Sequence, residues 1–246
     1  MELRAADPAQ QGLVDAYMAR VALPEASRIL EVGCGTGAIS RRLAVRPEVG
    51  KVVGIDPLAP LLDRARELAA GIDNLSFRTG SGEALPVDDS SFDVVVIHTV
   101  LSHVPDPRTV LSEVRRALVH GGWLAVFDGD YATLSFALAE NDPLEACAAA
   151  FKSSQINDPW VMRRAMGLIE EAGFIEPGLE SHGLAQVADP SYMLWVLGRG
   201  ADALVSDGSI GVGLADALRE EARRRVSQGS FFGQVSYLSV VARKGM

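Results

Sequence analysis

The sequence has few of the residues that mark a secreted, metal-binding or membrane-inserted protein. It contains only two cysteines, Cys34 and Cys147, among 246 residues, and neither belongs to a Cys-x-x-Cys or Cys/His spacing. A disulfide framework and a zinc site are therefore not expected, and we predict no bound metal. We also expect no signal peptide and no membrane span, because no segment reaches the roughly 18 consecutive apolar residues that a span requires. These absences predict a cytoplasmic protein.

Positive charge is also scarce. The chain has 23 Lys and Arg against 32 Asp and Glu, a net charge of −9, and such a surface repels phosphate backbones. The one dense basic run, Arg223 to Arg225, follows Glu220 and Glu221, and this pattern is typical of a solvated helix face with ion pairs one turn apart. We therefore expect no nucleic-acid partner.

What the sequence does contain is a regular alternation of short apolar runs and longer amphipathic stretches as far as residue 130. This alternation predicts βα units and a parallel sheet. The predicted strands, apolar on both faces as buried parallel strands are, cover Arg28–Val32, Lys51–Asp56, Leu75–Thr79, Phe92–His98 and Gly122–Asp128. The predicted crossover helices, with apolar residues at helical spacing, cover Gly37–Val45, Pro57–Ala70 and Pro107–Val119.

Beyond Asp130 the pattern becomes mainly helical. Predicted helices cover Tyr131–Lys152, Pro159–Ala172, Ser191–Val205 and Leu214–Val226. Two further stretches, Leu179–Val187 and Gln234–Lys244, have the pattern of edge strands, and neither has an independent core around it. We expect both to complete the same sheet, which makes a single α/β domain with seven strands.

The loop after the first strand reads Glu31-Val-Gly33-Cys-Gly35-Thr-Gly37 and opens a helix, where glycines let a ligand approach the free N–H groups of the helix terminus. About twenty residues later Asp56 ends the next strand, where a carboxylate can accept both hydroxyls of an unphosphorylated ribose. Together these features predict an adenosine ligand, but they do not separate NAD from other adenosine ligands. An alternative for Asp56 is a turn-forming role before Pro57.

Further patterned segments follow in order along the chain. They read Gly80-Ser-Gly-Glu-Ala-Leu-Pro86 with Ser91-Phe-Asp93, then His98-Thr-Val-Leu-Ser-His103-Val-Pro-Asp-Pro107, then Arg116-Ala-Leu-Val-His-Gly-Gly-Trp123. With the glycine loop and Asp56, these segments resemble the class I S-adenosylmethionine-dependent methyltransferases over roughly residues 29–130. The likeness is greatest to the branch of ubiquinone and menaquinone biosynthesis enzymes and many natural-product enzymes.

The resemblance implies a seven-stranded, mostly parallel, doubly wound sheet with an antiparallel last strand, helices on both faces and a helical lid. It divides the predicted domain into a cofactor-binding half (1–130), a mainly helical substrate-side cover with one edge strand (131–233) and a closing strand (234–246). S-adenosylmethionine is the implied cofactor. The residues implied to bind it are Glu31, Gly33, Cys34, Gly35, Gly37, Asp56, Pro57, Ser81, Gly82, Glu83 and His98.

One of these positions departs from the family pattern. Ser81 stands where the family commonly has an acid that bonds the adenine amino group, and a serine hydroxyl can accept that bond more weakly. Gly82 would offer its backbone N–H to the ring.

Two histidines are candidate catalytic residues. His98 ends a predicted parallel strand, where the ligand crevice of such sheets lies, and an imidazole can take a proton near neutral pH. His98 could equally position the cofactor through its carbonyl group or fill space beside it. His103 could line the substrate site, or it could pack or cap locally.

The implied activity is methyl transfer to a small molecule by in-line displacement in a closed apolar pocket, which aromatic residues of the helical half could line. The acceptor would be partly apolar, and the oligomeric state, monomer or homodimer, stays open. Two alternatives remain. One is an enzyme that binds S-adenosylmethionine but catalyses a non-methylating reaction, such as a pericyclic one, because binding motifs and chemistry are separable. The other is an NAD-dependent oxidoreductase.

Overall fold

The computed structural model describes residue 2, residues 8–187 and residues 189–245. Seven strands form one sheet in the order β3-β2-β1-β4-β5-β7-β6, and β7 is antiparallel. The strands are β1 Ser27–Val32, β2 Val49–Asp56, β3 Leu75–Thr79, β4 Phe92–His98, β5 Leu118–Ser135, β6 Phe174–Gln186 and β7 Gly233–Lys244. The order and the antiparallel β7 confirm the predicted α/β fold with a seven-stranded, mostly parallel sheet.

Eight helices are assigned within the described residues. They are α1 Pro8–Met18, α2 Ala38–Ala44, α3 Ala59–Leu68, α4 Pro107–Ala117, α5 Glu145–Gln155, α6 Val161–Glu171, α7 Ser191–Ser206 and α8 Val212–Ser227. None of these helices is long and apolar enough to cross a membrane.

The central strands form where the sequence is apolar on both faces. In β4, Val94, Val95, Val96 and Ile97 are fully buried. The strand pairs in parallel with β1, with Ile29 opposite Val94. A continuous β-branched run suits this position because both faces of a central parallel strand are covered. The carboxyl ends of β1, β2 and β4 therefore lie together at one edge of the sheet, which is where the candidate site is found.

The chain divides into two compact units. The first contains the described residues up to Asp128, Met162–Glu180 and the described residues from Leu238, and it holds the predicted glycine loop, Asp56 and both candidate histidines. The second contains Gly129–Val161 and Ser181–Tyr237. In this unit the buried Tyr192 stacks on the exposed Trp195 at 6.2 Å between ring centroids. The single domain with boundaries at 130 and 233 stays a prediction.

Two sequence-based expectations are corrected, and one helix was not expected. The helix expected from Tyr131 is strand as far as Ser135, and helix begins only at Glu145. Tyr131 and Leu134, which lie in this extended stretch, are both buried. The strand Gln234–Lys244 is not an edge strand, since β7 lies between β5 and β6. Helix α1 was not anticipated at all, although it contributes directly to the candidate site.

Candidate cofactor and active site

The glycine loop between β1 and α2 is shaped by left-handed backbone. Gly33 has φ +70° and Gly37 has φ +73°, a region that L side chains rarely adopt. A neighbouring side chain also packs closely against each glycine. A Cβ on Gly37 would lie 2.6 Å from the Phe77 ring, and a Cβ on Gly33 would overlap the side chain of Val100. The sequence therefore needs glycine at both positions. The N–H groups of Gly33 and Gly37 donate to the backbone oxygens of Ile55 and Cys34, so the loop is fixed by its own hydrogen bonds.

Asp56 fixes this loop from the end of β2. One carboxylate oxygen accepts the Gly35 N–H at 2.8 Å, and the other accepts the Leu58 N–H at 2.9 Å. The bond to Leu58 is the turn-forming role considered as an alternative, and the bond to Gly35 was not foreseen. Because each carboxylate oxygen can accept two hydrogen bonds, one position on each oxygen remains for a ligand.

Glu31 is a buried carboxyl at the start of the loop. It accepts a short hydrogen bond from the Ser40 hydroxyl in the first turn of α2. Burial raises the pKa of Glu31 to about 7, against the lowering effect of that hydrogen bond. A group that titrates near neutral pH in a pocket is a candidate for ligand contact.

The segment after β3 folds into a tight turn beside Asp56. The Gly80 N–H donates to the backbone oxygen of Asp56 at 3.2 Å, and the Ser81 hydroxyl accepts the Glu83 N–H at 3.2 Å. A Cβ on Gly82 would lie 3.0 Å from Val32, so glycine allows this turn to approach β1. The Ser81 side chain is exposed.

A cavity of about 280 Å³ lies against the loop. The loop and the first turns of α2 form one wall, and the end of β4 contributes His98 and Thr99. Helix α1 contributes Gln10, Gln11 and Val14. The remaining lining residues are Glu2, Glu31, Gly33, Cys34, Thr36, Ala38, Ile39, Arg41 and Arg42.

His98 is held rigidly where it meets this cavity. Its Nδ1 lies 3.1 Å from the Tyr17 hydroxyl of α1, and its ring stacks on Phe127 with centroids 4.6 Å apart and planes 13° from parallel. All three side chains are buried. The imidazole therefore has one orientation, and Tyr17 controls one of its two ring nitrogens.

The turn after β4 carries backbone strain next to His98. Thr99 has φ +56°, which is an outlier for a β-branched residue. The following turn is fixed by buried Asp128, whose two carboxylate oxygens accept the Ser102 N–H and hydroxyl, each at 3.0 Å. Strain of this kind persists only where surrounding contacts impose it, and it concentrates at functional sites.

The structure brings some predicted site residues together and separates others. Among residues lining the cavity are Glu31, Gly33, Cys34 and His98. Within the part of the chain that the structure describes, the cavity lining does not include Gly35, Gly37, Asp56, Pro57, Ser81, Gly82, Glu83 or His103. The first three belong to the loop or bond to it, whereas the His103 side chain is exposed.

Sequence reasoning missed the contribution of helix α1. Its buried residues Gln10, Val14, Tyr17 and Met18 recur at helical spacing. This helical spacing was the signal in the sequence that could have predicted α1. Gln10 is the polar residue on an otherwise apolar face.

These residues fit a ligand with an adenosine end and an amino-acid end. Asp56 has acceptor positions left for hydroxyl groups, and Glu31 offers a carboxylate to an ammonium group. Glycine at positions 33 and 37 lets Val100 and Phe77 pack against the loop, which fixes the loop beside the cavity.

Comparison with known proteins adds the family. A family model for a methyltransferase domain matches residues 30–126. An uncharacterised methyltransferase of Schizosaccharomyces pombe is 39% identical over 111 residues, which cover 42% of this chain and 40% of that protein. The demethylmenaquinone methyltransferase of Staphylococcus aureus is 30% identical over 171 residues, which cover 63% of this chain and 70% of that protein. The chain spans about two fifths of the length of two curated relatives that it matches.

Solved structures agree on the fold. The YcgJ protein of Bacillus subtilis superposes with a TM-score of 0.67 at 16% identity, covering 96% of this chain and 99% of that one. The family model covers the glycine loop, Asp56 and the end of β4, and the Staphylococcus relative extends the match over most of its own length. This chain belongs to the class I S-adenosylmethionine-dependent methyltransferase family.

Proposed function

We propose that this protein transfers a methyl group from S-adenosylmethionine to a small, partly apolar molecule. The observation that carries the proposal is one cavity lined by the glycine loop, by Glu31 and by His98. The wall that would bind the amino-acid end of the cofactor and a candidate proton acceptor then line the same cavity. The S-adenosylmethionine-dependent family to which the chain belongs supports the same chemistry.

Bound S-adenosylmethionine supplies a methyl group that is already activated by a positive sulfur. The task of the chain is therefore to hold the acceptor in line with that methyl group and to exclude water. Positioning of this kind can supply about 7 to 11 kcal/mol of the barrier. Asp56 would hold the ribose hydroxyls, and the Gly35 bond keeps its carboxylate against the loop.

His98 would receive the proton that the acceptor loses when its oxygen or nitrogen forms the new bond to the methyl carbon. The Tyr17 hydroxyl lies 3.1 Å from Nδ1 of His98, and this contact would hold the imidazole beside the cavity while it takes the proton. General-base assistance typically contributes about 10²–10⁴-fold in rate. The same site would still methylate more slowly without it.

The test is incubation of the protein with methyl-deuterated S-adenosylmethionine and a metabolite extract of the host, followed by mass spectrometry. We expect one metabolite to gain a single labelled methyl group while an equal amount of S-adenosylhomocysteine forms. Asp56→Ala is the matched control, and it should label far less product at the same cofactor concentration. Turnover without S-adenosylhomocysteine would instead favour a non-methylating reaction, and no turnover with any extract would contradict the proposal.

A further inference from the structure

A second cavity, of about 480 Å³, lies in the first compact unit. Within the described residues it shares no lining residue with the candidate cofactor site. Arg28 lines it near the start of β1, whereas Glu31 lines the cofactor cavity near the end of that strand. Its volume lies within the range of sites that bind small molecules. The cavity is therefore large enough for a ligand other than the cofactor.

Three basic side chains line this second cavity: Arg28, Lys51 and Arg78. Arg28 and Lys51 are paired residues of β1 and β2, so their side chains leave the same face of the sheet side by side. Asp93 balances the charge of Arg28 through hydrogen bonds of 3.0 and 2.8 Å from the guanidinium. Within the part of the chain that the structure describes, Lys51 and Arg78 have no acidic partner. Two positive charges in one cavity are thus left unbalanced by ion pairs.

The acidic residues beside the cavity do not cancel this charge. Asp89 pairs with Arg116 of α4 at 2.7 Å and does not line the cavity. Asp88 does line it, so two unpaired cations share the cavity with one acid. An excess of positive charge stands out in a chain whose net charge is −9. It indicates that the cavity suits an anionic ligand.

The segment from Leu85 to Phe92 contributes a wall of the cavity, and α4 holds that wall in place. Arg116 donates to the backbone oxygens of Leu85 at 3.0 Å and of Val87 at 2.8 Å. Glu113 accepts the Leu85 N–H at 2.9 Å. Leu85 and Phe92 are buried. The cavity therefore combines a fixed, partly apolar wall with unbalanced positive charge, and a ligand would find it already formed.

We propose that this cavity is a second ligand site, which binds a phosphate monoester that carries a small apolar group. Lys51 and Arg78 would hold the phosphate, because a guanidinium matches its oxygens and an ammonium adds a compact charge. A phosphate monoester has nearly two negative charges at neutral pH, which corresponds to the two unpaired cations. Val53 and Phe92, which also line the cavity, would contact the apolar group. The site goes beyond the proposed methyl transfer and does not depend on it.

The experiment is titration calorimetry with phenyl phosphate in a buffer free of phosphate. Inorganic phosphate and benzoate are comparison probes, since the first lacks the apolar group and the second has one charge. We expect phenyl phosphate to bind about tenfold more tightly than either of them. The titrations are run with and without S-adenosylhomocysteine, and its addition should not prevent binding of phenyl phosphate.

Four variants test the assignment of charges. Lys51→Met and Arg78→Met should each weaken binding of phenyl phosphate about tenfold. Asp88→Asn should strengthen it severalfold, because the variant removes a carboxylate that repels the phosphate. Arg223→Met is the matched control, since it removes one positive charge from an exposed ion pair of α8 and should leave the affinity unchanged. All four side chains are exposed, so the melting temperatures should stay close to that of wild type.

Several outcomes would overturn the second site. Phenyl phosphate that does not bind, or that binds Lys51→Met and Arg78→Met as tightly as wild type, would exclude it. Equal affinity for phenyl phosphate and benzoate would exclude recognition of a phosphate group. Displacement of phenyl phosphate by S-adenosylhomocysteine would show binding in the cofactor cavity instead. Each of these results leaves methyl transfer standing, because the labelling experiment tests that proposal separately.

Discussion

Two buried carboxyl groups, Glu31 in the first compact unit and Asp142 in the second, have pKa values that their surroundings shift in opposite directions. Burial raises the pKa of Glu31 to about 7, and Ser40 is the hydrogen-bond donor that offsets it. Burial would also raise the pKa of Asp142, but hydrogen bonds from Arg225 and from two backbone N–H groups bring that pKa below its ordinary value. The first carboxyl is held part-way between its charge states, and the second is held fully ionised.

The donors around the two groups differ in the same way. Around Asp142 every guanidinium nitrogen of Arg225 has a carboxylate partner, since Nη1 and Nη2 bond Asp142 and Nε bonds Glu221. Glu31, in contrast, has one side-chain donor, the hydroxyl of Ser40. The comparison teaches that a buried carboxyl stays ionised where charged donors surround it and holds its proton more tightly where they do not.

The largest expected effect comes from breaking the saturated cluster. Arg225→Met leaves Asp142 buried without its charge partner, and loss of one member of a buried pair costs about 3 to 5 kcal/mol. We expect the free energy of unfolding in urea to fall by that amount while the affinity for S-adenosylmethionine stays unchanged. A double variant that also carries Asp142→Leu should recover much of the loss. A loss below about 1 kcal/mol would show that the cluster does not serve the fold.

The next largest effect is a pH dependence of stability that arises from Glu31 and that the ionised Asp142 does not produce in the same pH range. The folded state keeps the Glu31 proton up to about pH 7, whereas the unfolded chain releases it near its ordinary pKa. Glu31 therefore contributes about 3 kcal/mol to the free energy of unfolding below about pH 4.5, and this contribution is lost as the pH rises through 7. Glu31→Gln should remove this loss. The check is urea denaturation of wild type and variant at several pH values, and parallel curves for the two proteins would contradict the raised pKa.

Asp56→Ala is expected to have a smaller effect, and it acts on binding. The carboxylate holds the loop through Gly35 and is the expected acceptor of the ribose hydroxyls, so its removal should weaken S-adenosylmethionine binding by about tenfold or more. Titration calorimetry measures the change. Asp56→Asn, which keeps one oxygen acceptor, should retain more affinity than alanine; identical affinity of wild type and Asp56→Ala would exclude a cofactor role for this residue.

The smallest effect concerns the pair of Tyr17 and His98. Tyr17→Phe removes one hydrogen bond, which is worth about 0.5 to 1.5 kcal/mol of stability. We also expect the distribution of protons between the two ring nitrogens of His98 to change, as seen by nitrogen NMR of labelled histidine. His103→Ala is the control, since that side chain is exposed. An unchanged His98 spectrum in Tyr17→Phe would mean that the hydroxyl does not set its tautomer.

The sequence predicted the sheet well because its central strands are encoded locally. The run Val94 to Ile97 is β-branched throughout and has only one stable environment, a buried strand. The region after Asp130 was harder. The Ala-rich composition suggested helix from Tyr131, but tertiary contacts keep β5 extended to Ser135, and a single sequence does not contain those contacts.

In the candidate site, too, the locally encoded features could be predicted and those set by tertiary contacts could not. Gly33 and Gly37 were identifiable because left-handed backbone admits few other residues. The burial of Gln10 was not, because a polar residue in a short amphipathic helix is expected at a solvated position. Only its burial and its unpaired nitrogen show otherwise, and both are properties of the folded chain.

The glycine loop between β1 and α2 has a consequence for redesign of this protein. Neither Gly33 nor Gly37 has room for an added methyl group, so we expect no other residue to be tolerated at these two positions. Val14 and Ile39 also line the cavity, and neither has the left-handed backbone that requires glycine. A library aimed at altered ligand binding would therefore vary that pair and keep both glycines constant.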